Sequence, residues 1–146
     1  MKVRQAIIDD LNELAQLFAD YRVFYGQDFE LEKTRSFIQQ RLESKDSIIF
    51  IAIQSDTILG FSQLYPSFTT IGVQEIWILN DLFIKPKFRQ NGVAKMLIEY
   101  ILDYCKDTNR KKVILSTAYN NDKAQRLYEK LGFTKTKFYN YEKYNL

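Results

Sequence analysis

Apolar positions along the chain change their period several times, and each change marks an element. Lys2 to Ile7 alternates weakly and predicts a short strand. Asp9 and Asp10 follow as candidate caps, and Leu11, Leu14, Leu17 and Phe18 then recur at helical spacing. Gly26 is placed to stop that helix. A second helix is predicted from about Leu31 to Leu42, with Phe37, Ile38 and Leu42 on one face. Within Ser47 to Gln54, the run Ile48-Ile49-Phe50-Ile51-Ala52-Ile53 is rich in β-branched residues and predicts a buried strand. Ser55-Asp56 makes a turn, Thr57 to Tyr65 forms the hairpin partner, and Pro66 ends it. Gln74 to Ile84 is a further strand stopped by Pro86. Asn91 to Asp107 is a long amphipathic helix, Lys112 to Thr117 a strand, and Asp122 to Leu131 a helix closed by Gly132. The aromatic stretch from Phe133 to Leu146 predicts one or two closing strands. Hairpins early and crossover helices late give an α/β chain with a mixed sheet and helices on its faces.

Composition narrows the class. The chain has 146 residues, the size of one domain, and is 46% hydrophobic and 27% charged. A net charge of +3 is too small and scattered to imply nucleic acid, and it suits an anionic ligand equally well. No apolar run nears the roughly 20 residues of a membrane span. The start, Met1-Lys2-Val3-Arg4-Gln5, lacks a signal-peptide pattern, so a cytoplasmic protein is expected. Cys105 is the lone cysteine, so no intrachain disulfide forms. There is no histidine, which excludes His-based triads and most catalytic zinc sites; no metal is expected. Proton transfer then falls to carboxylates, Tyr, Lys, the Cys or water.

The most informative segment is Asn80-Asp81-Leu82-Phe83-Ile84-Lys85-Pro86-Lys87-Phe88-Arg89-Gln90-Asn91-Gly92-Val93-Ala94. A strand ends, a basic loop follows and a helix opens. The first helical turn leaves N–H groups without partners at the positive end of the dipole, which suits phosphate. Gly92 keeps the approach clear of a Cβ, Ala94 keeps the next turn small, and Arg89 adds charge. The string matches neither a Walker loop nor a GxGxxG fingerprint. Downstream, Asn121-Asp122-Lys123-Ala124-Gln125-Arg126-Leu127-Tyr128-Glu129-Lys130-Leu131-Gly132-Phe133 offers Asn121 as an N-cap and Tyr128 two turns later on the same face.

These two strings resemble motifs A and B of the GNAT acetyltransferase superfamily, in the right order and with a strand between them. With the leading strand and two helices, the resemblance covers nearly the whole chain. It implies one GNAT domain over residues 1–146, with six to seven mostly antiparallel strands and about four helices. It also implies acetyl-CoA as cosubstrate. The backbone of Leu82, Phe83 and Ile84 would pair with the pantetheine arm, and Leu82 N–H would face the thioester carbonyl. Arg89 and the amides of Gln90, Asn91, Gly92, Val93, Ala94 and Lys95 would hold the pyrophosphate. Asn121, Ala124 and Tyr128 complete the cofactor side. Tyr128 would protonate or hydrogen-bond the departing thiolate. Full proton transfer from an ordinary Tyr to a thiolate is uphill by roughly 2 kcal/mol, so the hydrogen bond alone is the milder alternative.

Acetyl transfer to an amine by direct attack needs no enzyme nucleophile. Its base is open. The polyamine-type members that this chain resembles carry Glu-Asp where it has Asn80-Asp81, and Asn80 is no base. Glu75 and Asp81 remain, with a water relay as the alternative. They stand six apart, so a regular strand puts both on one face, whereas a bulge separates them. For the acceptor, Tyr21, Phe24, Tyr25 and Asp28 come from the first helix and its loop. Gln63, Tyr65 and Ser67 come from the third strand, and Asn80 from the fourth. The combination of Phe24-Tyr25, Gln63-Leu64-Tyr65-Pro66-Ser67-Phe68 and Leu79-Asn80-Asp81-Leu82 resembles a subgroup with a yeast histone and polyamine acetyltransferase and a related D-amino acid acetyltransferase. A small-molecule primary amine is the leading acceptor. A protein or peptide lysine, or a non-catalytic acetyl-CoA sensor, are the alternatives. The aromatic tail Phe138 to Tyr144 suggests a homodimer contact or the sheet's own last strand.

Overall fold

Alternate side chains of the central strands serve two separate layers, and this decides the architecture. The computed structural model describes residues 1–146. They divide into two compact units, Met1–Ser116 and Thr117–Leu146.

In the first unit, β1 (Lys2–Gln5) precedes α1 (Leu11–Phe24) and α2 (Leu31–Ser44). Then come β2 (Ile48–Gln54), β3 (Thr57–Thr69), β4 (Gln74–Ile84), α3 (Val93–Asp107) and β5 (Val113–Leu115). The sheet runs β1-β2-β3-β4-β5 in space. The first four strands are antiparallel neighbours, and β5 joins β4 in parallel. One face packs on α1 and α2 through Leu14, Leu17, Phe18, Ile38, Ile51 and Phe61. Phe18 stacks on Phe61 at 3.8 Å. Burial of such a ring stabilises by about 1.5–3 kcal/mol. On the opposite face α3 buries Val93, Leu97, Ile98, Ile101 and Cys105. Its Tyr104 meets Phe50 and Trp77. Gly60 lets β3 lie tight on β4, since a Cβ there would stand 2.7 Å from Phe83 O.

Several expected boundaries move. β3 continues through Pro66 to Thr69. The reason is local: β2 begins at Ile48, opposite Leu64, so beyond that point β3 is an edge on one side, and proline is tolerated there. Asp10 does not cap α1. Its Oδ2 accepts from Ile7 N–H at 2.8 Å while Arg4 grips both oxygens, and a short 3₁₀ turn at Ile8–Asp10 leads into the helix. The strand expected from Lys112 to Thr117 shrinks to three residues.

The second unit contains α4 (Asp122–Lys130), followed by Gly132 at φ 96°. The closing strands expected after Phe133 do not form, so the sheet has five strands and not six or seven. Aromatic composition favours a strand only where one face is buried. Phe138, Tyr139 and Tyr141 are 86%, 88% and 93% exposed.

Candidate active site

The site begins with one extra residue. β3 pairs Gln63 with Asp81 but Leu64 with Leu79, so Asn80 is a bulge on β4. Beyond the bulge, Asp81 and Phe83 stand beside Gln63 and Phe61, on the face covered by α1 and α2. Before it, Leu79, Trp77 and Glu75 stand beside Leu64, Pro66 and Phe68, on the other face. The two candidate carboxylates are therefore on opposite faces. Glu75 is bound at 3.1 Å by Arg110, which lies over the Trp77 ring.

Asp81 is surrounded by neutral donors. Tyr21 donates its hydroxyl to Oδ1 at 3.0 Å. Gln63 Nε2 and Asn80 Nδ2 donate to Oδ2 at 2.8 and 3.1 Å. Behind the strand, Ser62 Oγ donates to the Asp81 carbonyl oxygen at 2.8 Å, and Ser47 Oγ donates to Gln63 Oε1 at 2.8 Å. An ionised carboxylate offers about four acceptor directions, so three side-chain donors leave room for one more. Tyr65 stands on the same strand face as Gln63. Its burial, and then the charge of Asp81, push its phenol above the ordinary range. Ser47 and Ser62 were missed in the sequence. A serine in or beside a strand carries no mark of which oxygen it will meet.

The aromatic side of the site comes from α1. Tyr21 lies 5.3 Å from Phe61 and 5.5 Å from Phe83, and Tyr25 lies 5.1 Å from Tyr21. Phe24 faces Phe83 at 5.9 Å and borders a cleft of about 490 Å³ with Phe29, Phe83 and Arg89. Asp28 sits in the loop after α1, where its carbonyl oxygen accepts from Arg22. Ser67 lies farther along β3, opposite Ile76, and its carbonyl oxygen accepts from Arg110.

Two backbone features follow the bulge. The β4–β5 ladder stops at Leu79 paired with Leu115, so Leu82, Phe83 and Ile84 pair with β3 on one side only. The chain then turns through Gln90 at φ 65° and Gly92 at φ 79° before entering α3. A left-handed Gln is strained, and such strain gathers at ligand sites. The first intrahelical bond is Met96 N–H to Gly92 O, which leaves the amides of Val93, Ala94 and Lys95 as the open donors of the first turn. A Cβ on Gly92 would meet no protein atom within 4 Å, so its left-handed φ, and not crowding, is what favours glycine there. Asn91 Nδ2 braces the turn through the carbonyl oxygens of Phe88 and Arg89. Arg89 is not simply a charge beside the turn. Its Nε donates to Ile84 O at 2.9 Å, and its guanidinium lies over Phe24 and Phe83. It pins the loop to the end of β4.

In the second unit, Asn121 caps α4, its Oδ1 accepting from Ala124 N–H at 3.2 Å. Tyr128 is half-buried and meets Phe133 edge-on at 5.8 Å.

Comparison with known proteins decides the family. The profile of the acetyltransferase (GNAT) family matches residues 11–133, which span both units. The chain belongs to the GNAT family. It is 39% identical to the uncharacterized N-acetyltransferase YhfO of Bacillus subtilis, over 91% of this chain and 89% of that one. It is 36% identical to a probable acetyltransferase of known crystal structure, with a TM-score of 0.90 over 97% and 96% of the two chains. A Clostridium acetobutylicum protein solved with acetyl-CoA, a "predicted acetyltransferase", shares the fold at 16% identity, with a TM-score of 0.78 over 97% and 95%. This GNAT chain is thus an acetyltransferase.

Proposed function

We propose that this enzyme carries the acetyl group of acetyl-CoA to a primary amine of a small molecule, by direct attack in a ternary complex. The observation that carries the proposal is the Asn80 bulge. It aims Asp81 at the aromatic face of the site, just where the neighbouring backbone becomes a one-sided edge leading to the Gly92 turn.

Acetyl-CoA supplies an activated acetyl group and a thiolate leaving group. Leu82, Phe83 and Ile84 would hold its pantetheine arm by strand-like pairing, with Leu82 N–H directed at the acetyl oxygen. The amides from Gln90 to Lys95 would hold the pyrophosphate. Asp81 receives the acceptor ammonium in its remaining acceptor direction and takes up the proton that must leave before attack, directly or through one water. Tyr21, Phe24, Tyr25 and Tyr65 supply rings suited to a cationic amine, and Asn80 and Asp28 supply polar contacts. By the family resemblance, Tyr128 would hydrogen-bond the departing thiolate. A carboxylate set among aromatic rings suits a compact cationic amine. The exposed tail aromatics, Phe138 to Tyr141, fit a homodimer contact, which light scattering would report as the mass of two chains.

The deciding experiment is thiol release from acetyl-CoA across spermidine, amino acids of both hands, an amino sugar and a lysine peptide. A small amine should exceed the peptide by at least about tenfold in kcat/KM, a difference of about 1.4 kcal/mol. A peptide preferred by that margin replaces the small-molecule assignment. Acetyl-CoA binding without release from any of these amines overturns the assignment to turnover of a small amine.

A further inference from the structure

Behind Asp81 lies a buried hydrogen-bond chain that touches no reacting atom. Gln63 is 1% exposed and Ser47 8%. Ser47 Oγ donates to Gln63 Oε1 at 2.8 Å, and Gln63 Nε2 donates to Asp81 Oδ2 at 2.8 Å.

The sense of this chain is fixed from one end. An ionised carboxylate only accepts, so it requires the amide nitrogen of Gln63. The amide oxygen then points away, and only a donor can satisfy it in a buried place. The Ser47 hydroxyl is that donor. Without it, the amide loses the partner that holds its oxygen away from the carboxylate. A flipped amide would set two oxygens against each other beside the substrate. Ser47 lies just before β2, and Gln63 lies on β3. Neither needs to touch acetyl-CoA or the acceptor for this effect.

We infer that Ser47 and Gln63 are positioning residues, a buried relay in which the Ser47 hydroxyl sets the Gln63 amide and so aims Asp81. The inference rests on the assignment of Asp81 to the acceptor amine. It extends the acceptor side of the site by one layer, into the core between β2 and β3.

An isosteric pair separates this from simple packing. Ser47→Thr keeps the hydroxyl, and Ser47→Val has the same shape without it. The first readout needs no acceptor: exchange of the Gln63 side-chain amide protons, followed by nuclear magnetic resonance. Ser47→Thr should exchange like wild type, and Ser47→Val should exchange about fivefold faster or more, the loss expected for one hydrogen bond. The second readout is thiol release with spermidine, or acetyl-CoA hydrolysis where spermidine is not turned over. Ser47→Val should lower the turnover rate about fivefold with acetyl-CoA KM unchanged, and Ser47→Thr should restore it. In an Asp81→Asn background the Val substitution should cost nothing further. Equal behaviour of Thr and Val in both readouts overturns the relay. So does a Val penalty of the same size with and without Asp81. An Asp81→Asn enzyme at the wild-type rate instead removes the role of Asp81 itself, and the exchange readout keeps the two failures apart.

Discussion

Tyr21 donates its phenol proton to Asp81 at 3.0 Å across sixty residues of sequence. The bond joins the first helix to the residue after the bulge, so it couples the aromatic wall to the carboxylate. Tyr21→Phe keeps the ring against Phe18, Phe61 and Phe83 and removes the hydroxyl. Turnover should fall about fivefold or more, while the melting temperature changes by only a few degrees. Steady-state thiol release beside a thermal melt checks both. A large loss of stability with unchanged turnover would assign the bond to folding alone.

The Gly92 turn should respond in two stages. Gly92→Ala pays for a left-handed φ of 79°, about 1–2 kcal/mol of stability. Gly92→Glu adds a like charge where the pyrophosphate would sit. Calorimetry should find acetyl-CoA affinity down by more than about tenfold in Glu relative to Ala. If the two variants bind equally, the anion lies elsewhere.

Thiol chemistry gives a third check. Cys105 is buried on α3, and burial pushes its thiol up to about 11. It is a poor nucleophile there. Cys105→Ala should turn over within about twofold of wild type. Native protein should also react slowly with Ellman's reagent until it is unfolded.

Tyr128→Phe should lower turnover with near-normal acetyl-CoA affinity, if its hydroxyl serves the leaving thiolate. Unchanged turnover would remove that role and leave Tyr128 as the aromatic partner of Phe133.

Acid should loosen the first helix's entry. Arg4 makes two 2.8 Å bonds to Asp10, and these hold the Asp10 carboxyl below its usual value against the opposing effect of burial. A depressed folded-state value means that the pair stabilises above the ordinary carboxylate range and stops doing so as pH falls through the lower, folded value. Asp10→Asn should therefore be less stable than wild type at pH 7, and the gap should close below about pH 4. Urea melts at the two pH values measure it.

What the sequence made legible follows from how each feature is encoded. The string from Asp81 to Ala94 is local, so strand end, loop and helix start could be read in order, and the left-handed Gly92 fell where a glycine was needed. The βα arrangement was legible through the periods of Leu11 to Phe18 and Ile48 to Ile53. The bulge was not. Asn80 is extra only relative to β3, and no single strand carries its partner's register. That one residue is why Glu75 and Asp81, evenly spaced in sequence, part company in space. Pro66 misled for the same reason, since its tolerance depends on where β2 begins. Ser47, Ser62 and Arg89 act on oxygens of other segments, which their own neighbours do not reveal.

The bulge also frees Asn80 from a duty its neighbours share. Having no partner opposite, it is exposed and fills no place in the core, whereas Leu79 and Phe83 on either side are buried. Its side chain instead donates to Asp81 at 3.1 Å, so a substitution here should change the polar rim and spare the core. One strand thus combines buried anchors with an exposed polar residue, and under the proposed function Asn80 substitutions should shift acceptor preference without lowering the melting temperature.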